Sequence, residues 1–220
     1  MTRSLKFGRR AAASGKARSL VVFVHGYGAN GADLLDLADI MAPHLPHTAL
    51  VAPDAADRVP GAPMGYQWFP IPRFDGSTEA QAQAGLTRSA ADLSGFVDQR
   101  LAYEGVGPEA VALVGFSQGA MMALHVAPRR EVAMAAVVAI SGRLLAPERL
   151  PGDLRVRPPV LIMHGDQDPV VAFSEMAIAA DALAGVGFDT FGHVMKGMGH
   201  GISQDGLSTA LGFLKKHMPG

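Results

Sequence analysis

Strand-length apolar runs alternate along this chain with segments of helical period, and that alternation restricts the fold more than any other feature. Ser19 to His25 reads Ser-Leu-Val-Val-Phe-Val-His, similar runs cover Thr48 to Val51, Val111 to Val114, Ala133 to Ile140 and Pro159 to Met163, and Phe188 to Val194 reads as the last strand. A strand without polar alternation is covered on both faces, as in a parallel sheet flanked by helices. The intervening segments carry the complementary signal. Leu34, Leu37 and Met41 stripe Asp33 to Ala42. Leu86, Ala90, Leu93, Val97 and Leu101 stripe Thr78 to Tyr103, which opens on a Thr78/Gln81 capping box. Met176, Ala180 and Leu183 mark Ser174 to Ala184, and Leu207, Leu211 and Leu214 mark Ser203 to His217. The expected architecture is α/β: a mostly parallel central sheet with helices on both faces.

A length of 220 residues suits one such domain, spanning 1–220. Residues 1–18 form an N-terminal segment with room for an extra edge strand. Residues 52–77, rich in proline and aromatic residues and without regular period, read as a lid-like loop. The longest apolar run, Val132 to Ile140, falls well short of the roughly 20 residues a membrane-spanning helix needs. No stable membrane insertion is therefore expected. With a net charge of −1 and paired basic residues only at Arg9-Arg10 and Arg129-Arg130, the chain shows no footprint for nucleic acid. It has no cysteine, which excludes disulfides and thiolate chemistry, and no apolar signal-peptide core precedes Leu20; the expected location is cytoplasmic.

In a parallel α/β sheet, ligands sit beyond the carboxyl ends of the strands. Four loops stand there: His25-Gly-Tyr-Gly28, Gly115-Phe-Ser-Gln-Gly119, His164-Gly-Asp-Gln-Asp168 and Gly197-Met-Gly-His-Gly201. The second has the layout of a nucleophile elbow, a tight strand-to-helix turn that exposes a serine hydroxyl. A serine hydroxyl requires a base within hydrogen-bond reach and a carboxylate to orient that base. Ser117, Asp168 and His200 supply all three in the order Ser, Asp, His. Asp166 competes with Asp168 for the acid role, but Pro169 fixes the chain directly after Asp168, and Asp166 suits a turn-stabilising role. Backbone donors for an oxyanion are expected from the amide of Gln118, at a helix N-terminus, and from that of Tyr27, in the glycine-rich loop. His25 and His164 read as hydrogen-bonded structural histidines, since with Asp166 they form no recognised metal-ligand spacing.

The set His25-Gly-Tyr-Gly-Ala-Asn-Gly31, Gly115-Phe-Ser-Gln-Gly-Ala120, His164-Gly-Asp-Gln-Asp-Pro-Val-Val171 and Gly199-His200-Gly201 resembles the phospholipase/carboxylesterase family of α/β-hydrolases, from about Leu20 to the end of the chain. The family includes bacterial carboxylesterases and acyl-protein thioesterases. The resemblance implies an α/β-hydrolase fold, Ser117, Asp168 and His200 as catalytic triad, the amides of Tyr27 and Gln118 as oxyanion hole, and hydrolysis of carboxylic esters or thioesters without a cofactor or metal. The chain departs from the family pattern in Gln67-Trp-Phe-Pro-Ile71, where an acidic residue often follows the aromatic pair, and in Ala172, where proline commonly follows the two valines.

The expected activity is that of a serine carboxylesterase of small to medium acyl esters. The alternatives are an acyl thioesterase or lysophospholipase, or a non-catalytic relic that binds small apolar ligands. Met64, Trp68, Phe69, Ile71 and Phe74 are the expected substrate-binding residues, since apolar walls suit an acyl chain. Trp68 and Phe69 have a second reading, as side chains that pin the long loop to the core. A homodimer is compatible with the sequence.

Overall fold

The computed structural model describes residues 2–62 and 64–220; Met1, at the head of the expected N-terminal segment, and Pro63, within the expected lid-like loop, lie outside the described residues. In chain order the strands are β1 (Phe7–Arg10), β2 (Ser19–Val24), β3 (Thr48–Pro53), β4 (Asp57–Arg58), β5 (Tyr66–Gln67), β6 (Val111–Phe116), β7 (Ala136–Ile140), β8 (Val160–Gly165) and β9 (Thr190–Met195). The helices are α1 (Gly31–Met41), α2 (Pro72–Asp75), α3 (Glu79–Glu104), α4 (Gln118–Val126), α5 (Leu150–Asp153), α6 (Ser174–Gly185) and α7 (Gln204–His217).

Seven strands form one sheet in the order β1-β3-β2-β6-β7-β8-β9, parallel throughout except for β1, which runs antiparallel to β3. The fully apolar strands have two covered faces because successive side chains point to opposite sides. In β2, Leu20, Val22 and Val24 join the core under α3, α4 and α6, while Val21 and Phe23 join the core under α1 and α7. From β2 the chain moves outward to β3, returns through α3 to β6, and then proceeds outward through β7, β8 and β9. The crossover leaves a switch point between the carboxyl ends of β2 and β6, where a doubly wound sheet opens a crevice.

Local chemistry sets the helix ends. The Asn30 side chain accepts from the amides of Ala32 and Asp33, and the Asp33 carboxylate accepts from the Asn30 amide, a capping box that starts α1 two residues before the expected Asp33. Thr78 and Gln81 cap α3 reciprocally, and Gly105, at φ 68°, ends it in the left-handed conformation. Residues 52–77, expected to lack regular structure, contain the β4–β5 pair and the one-turn α2. β7 begins at Ala136 rather than Ala133, because its pairing with β6 starts there. Among the described residues, no helix is long and apolar enough to cross a membrane.

Candidate active site

β6 ends at Phe116 and α4 begins at Gln118, leaving Ser117 alone to reverse the chain. It does so at φ 54°, a region that disfavours L-residues. The turn closes only because its flanks lack side chains. A Cβ on Gly115 would strike the Gly119 carbonyl, and one on Gly119 would strike the carbonyls of Val24 and His25. The helix start thus packs directly on the end of β2. A Cβ on Gly26 would lie 3.3 Å from that of Ser117, so the glycine-rich loop after β2 lies against the serine.

Two loops, after β8 and β9, complete the arrangement. His200 Nε2 is 3.0 Å from Ser117 Oγ, and His200 Nδ1 is 2.7 Å from Asp168 Oδ2. The other Asp168 oxygen accepts from the amides of Val170 (2.8 Å) and Val171 (3.0 Å). The Asp168 carboxylate is fully enclosed. Burial works against its charge, but the bonds from His200 and the two amides outweigh it and hold the group below the usual carboxylate range. With Asp168 ionised, Nδ1 of His200 is the donor and Nε2 faces the serine hydroxyl as acceptor. The Phe116 ring, 5.0 Å from the imidazole, supports its other side.

Asp166 stands apart from this chain of bonds. Its Oδ1 accepts from the Gly197 amide at 2.7 Å, so it ties the β8 loop to the loop bearing His200, a longer reach than the local turn role expected of it. His25 is locked in one tautomer: Ala55 N–H donates to Nε2 at 3.0 Å, so Nδ1 donates to the Gly26 carbonyl at 2.7 Å. Burial lowers its pKa and keeps it neutral. His164 Nε2 lies 3.0 Å from the Val171 carbonyl, beneath the acid loop. The Gln118 amide, first in α4, has no intrahelical acceptor, and the Tyr27 amide has no protein acceptor among the described residues.

The structure gives the expected substrate residues different surroundings. Trp68 is fully buried; its indole N–H donates to the His25 carbonyl at 3.0 Å and its ring lies 5.3 Å from the His25 imidazole, so it pins the loop rather than lining a cavity. Met64 is 76% exposed, and Phe74 packs on Tyr27 at the surface, 5.7 Å between centroids. Neither lines the cavity. Phe69 and Ile71 do: they face a cavity of about 560 Å³ alongside Leu86, Met121, Leu145 and Val171. Its wall includes Met121, four residues past Ser117 in α4, and Val170 and Val171, two and three residues past Asp168.

The Gln118 side chain was not singled out by sequence reasoning, yet it binds the loop to the elbow. Its Oε1 accepts from the Trp68 amide at 2.8 Å and its Nε2 donates to the Phe69 carbonyl at 2.7 Å. The available signal was an amide side chain heading the apolar run Ala120 to Leu124, since a buried amide must find partners.

A doubly wound parallel sheet with a strained serine turn at its switch point defines an α/β-hydrolase. The model for the phospholipase/carboxylesterase family matches residues 10–218, and the chain belongs to that family. Esterase YpfH of Escherichia coli (strain K12) is 30% identical over 206 residues, covering 92% of this chain and 84% of its own length. Acyl-protein thioesterase 1 of Saccharomyces cerevisiae is 30% identical over 215 residues, 92% of this chain and 94% of that protein. The crystal structure of esterase PE8 superposes with a TM-score of 0.93 at 40% identity, over 98% of this chain and 100% of its own.

Proposed function

We propose that the protein is a serine hydrolase of carboxylic esters with small to medium acyl groups, in which Ser117 is the nucleophile, His200 the general base and Asp168 the orienting acid. The observation that carries this reading is the unbroken hydrogen-bond chain from Ser117 through His200 to Asp168 at the strand ends. His200 Nε2 takes the hydroxyl proton as Ser117 Oγ attacks the ester carbonyl, and the imidazolium gains the Asp168 carboxylate as counter-ion. The oxyanion of the tetrahedral intermediate accepts from the amides of Gln118 and Tyr27. Collapse expels the alcohol, which receives the proton from His200, and leaves an acyl-enzyme. Water, deprotonated by His200, then releases the acid.

The named esterase and thioesterase relatives support hydrolysis of an ester or thioester bond. The thioester reading is the second one, because a thiolate leaves from the same intermediate. A fluorophosphonate probe is expected to add one phosphonyl group to Ser117 in the folded protein, seen by intact mass and peptide mapping, and Ser117→Ala is expected to abolish it. Absence of the adduct would sink the proposal. A panel of p-nitrophenyl esters from acetate to palmitate, run beside acyl thioesters, assigns the leaving group and chain length.

A further inference from the structure

The wall of the cavity beside the elbow is not uniformly apolar. Phe69, Ile71, Leu86, Met121, Leu145 and Val171 form its greasy portion, but His125, Arg143 and Arg149 line it as well. Met121 and His125 lie four and eight residues beyond Ser117 along α4, so they share one helix face, and His125 stands about 12 Å from the serine at 1.5 Å per residue. His125 Nδ1 is buried and has no hydrogen-bond partner among the described residues.

The nearby charges are unevenly satisfied. Arg129 donates to the His125 carbonyl at 2.8 Å and pairs with Asp153 Oδ2 at 2.8 Å. Arg149, whose charge acts on His125, has no ion-pair or hydrogen-bond partner for its guanidinium group among the described residues. Glu79 and Glu175 line the cavity from the first turns of α3 and α6, but the charges that act on His125 are Arg129, Asp153 and Arg149. The His125 end of the cavity is therefore left with free cationic capacity and an orphaned ring nitrogen. A terminal oxyanion would satisfy both, since guanidinium groups bind carboxylates through charge-assisted, often bidentate bonds.

We propose that this cavity is an acyl site with an anion-binding end formed by Arg149 and His125, and that the preferred substrates are esters whose acyl chain carries a terminal carboxylate. The inference rests on Ser117 being the nucleophile. Three bonds of extended chain cover about 3.6 Å, so a carboxylate near His125 lies roughly ten bonds from the scissile carbonyl. The apolar walls between the two ends suit the intervening methylenes.

The test compares the mono-p-nitrophenyl ester of decanedioic acid with p-nitrophenyl decanoate, which has the same length and a neutral end. The wild type is expected to favour the carboxylated ester about tenfold or more in kcat/KM. In Arg149→Gln that ratio is expected to fall about tenfold, mainly through KM, with part of it retained in Arg149→Lys. A wild-type ratio near one overturns the inference, as does a ratio that survives unchanged in Arg149→Gln. Fluorophosphonate labelling of Ser117 and turnover of p-nitrophenyl acetate read the catalytic centre separately. If both are absent, the hydrolase reading fails and takes the acyl site with it; if both are present and the ratio is one, the anion-binding end alone is refuted.

Discussion

Ser117 holds its positive φ because three glycines around it, Gly26, Gly115 and Gly119, let backbone approach backbone. The two candidate acids beside it have separable effects. Asp168→Asn cannot orient the imidazole through Nδ1–H as the carboxylate does, and kcat is expected to fall about 10³- to 10⁴-fold by steady-state assay. Asp166→Asn weakens the bond to the Gly197 amide, and the expected result is a loss of about 1 kcal/mol in urea unfolding with most of the turnover kept. The reverse pattern would exchange their roles. His125 makes a pH prediction. Burial, then Arg129 and Arg149 against the opposing Asp153, push its pKa down from 6.5 to about 4. A histidine whose folded pKa is depressed stabilises least where the unfolded chain takes up the proton. Its contribution is therefore intact above about pH 6.5 and is lost as the pH falls toward 4, by about 2 to 3 kcal/mol. Wild type and His125→Gln should accordingly diverge less in stability at pH 4.5 than at pH 7.5. A gap independent of pH would mean that the imidazole is solvated.

The elements were legible in proportion to their dependence on near neighbours. The buried strands and α3 follow from apolar runs, the 3.6-residue stripe and the Thr78/Gln81 cap, all encoded within a few positions. β1 carries no such run: its Phe-Gly-Arg-Arg sequence is only partly buried, and its Arg9 guanidinium pairs with Glu104, 95 residues away. The β4–β5 pair is too short for alternation to register. The segment from Met64 to Phe74 was legible as an aromatic cluster but not in its roles, because Trp68 is anchored to Gln118, 50 residues distant, and to His25. Gln118→Ala would leave the Trp68 amide and the Phe69 carbonyl buried and unpaired. The expected cost is roughly 2 to 4 kcal/mol, a drop of about 5 to 12 °C in Tm by calorimetry. A change under about 1 °C would show that the loop does not depend on this anchor.

At the scale of the molecule, the two cores share the same strands. Leu20, Val22 and Val24 face one helix layer while Val21 and Phe23 face the other, so neither layer can be removed without exposing a face of the central sheet. Arg3, bonded to Asp57 and Asp92, and Arg9, bonded to Glu104, tie the N-terminal segment to α3 and to β4. Unfolding is therefore expected as one calorimetric transition whose van't Hoff and calorimetric enthalpies agree, and two resolved transitions would mean that the layers melt separately. By itself the sequence determined the α/β class, the crevice position and the chemical identity of the residues gathered there, because period, turn chemistry and order along the chain are local properties. Only the tertiary structure decided which aromatics are buried, what Gln118 holds, and that arginines share a cavity wall with apolar side chains. Burial and hydrogen-bond partners are set by segments far apart in the chain, and no local pattern encodes them.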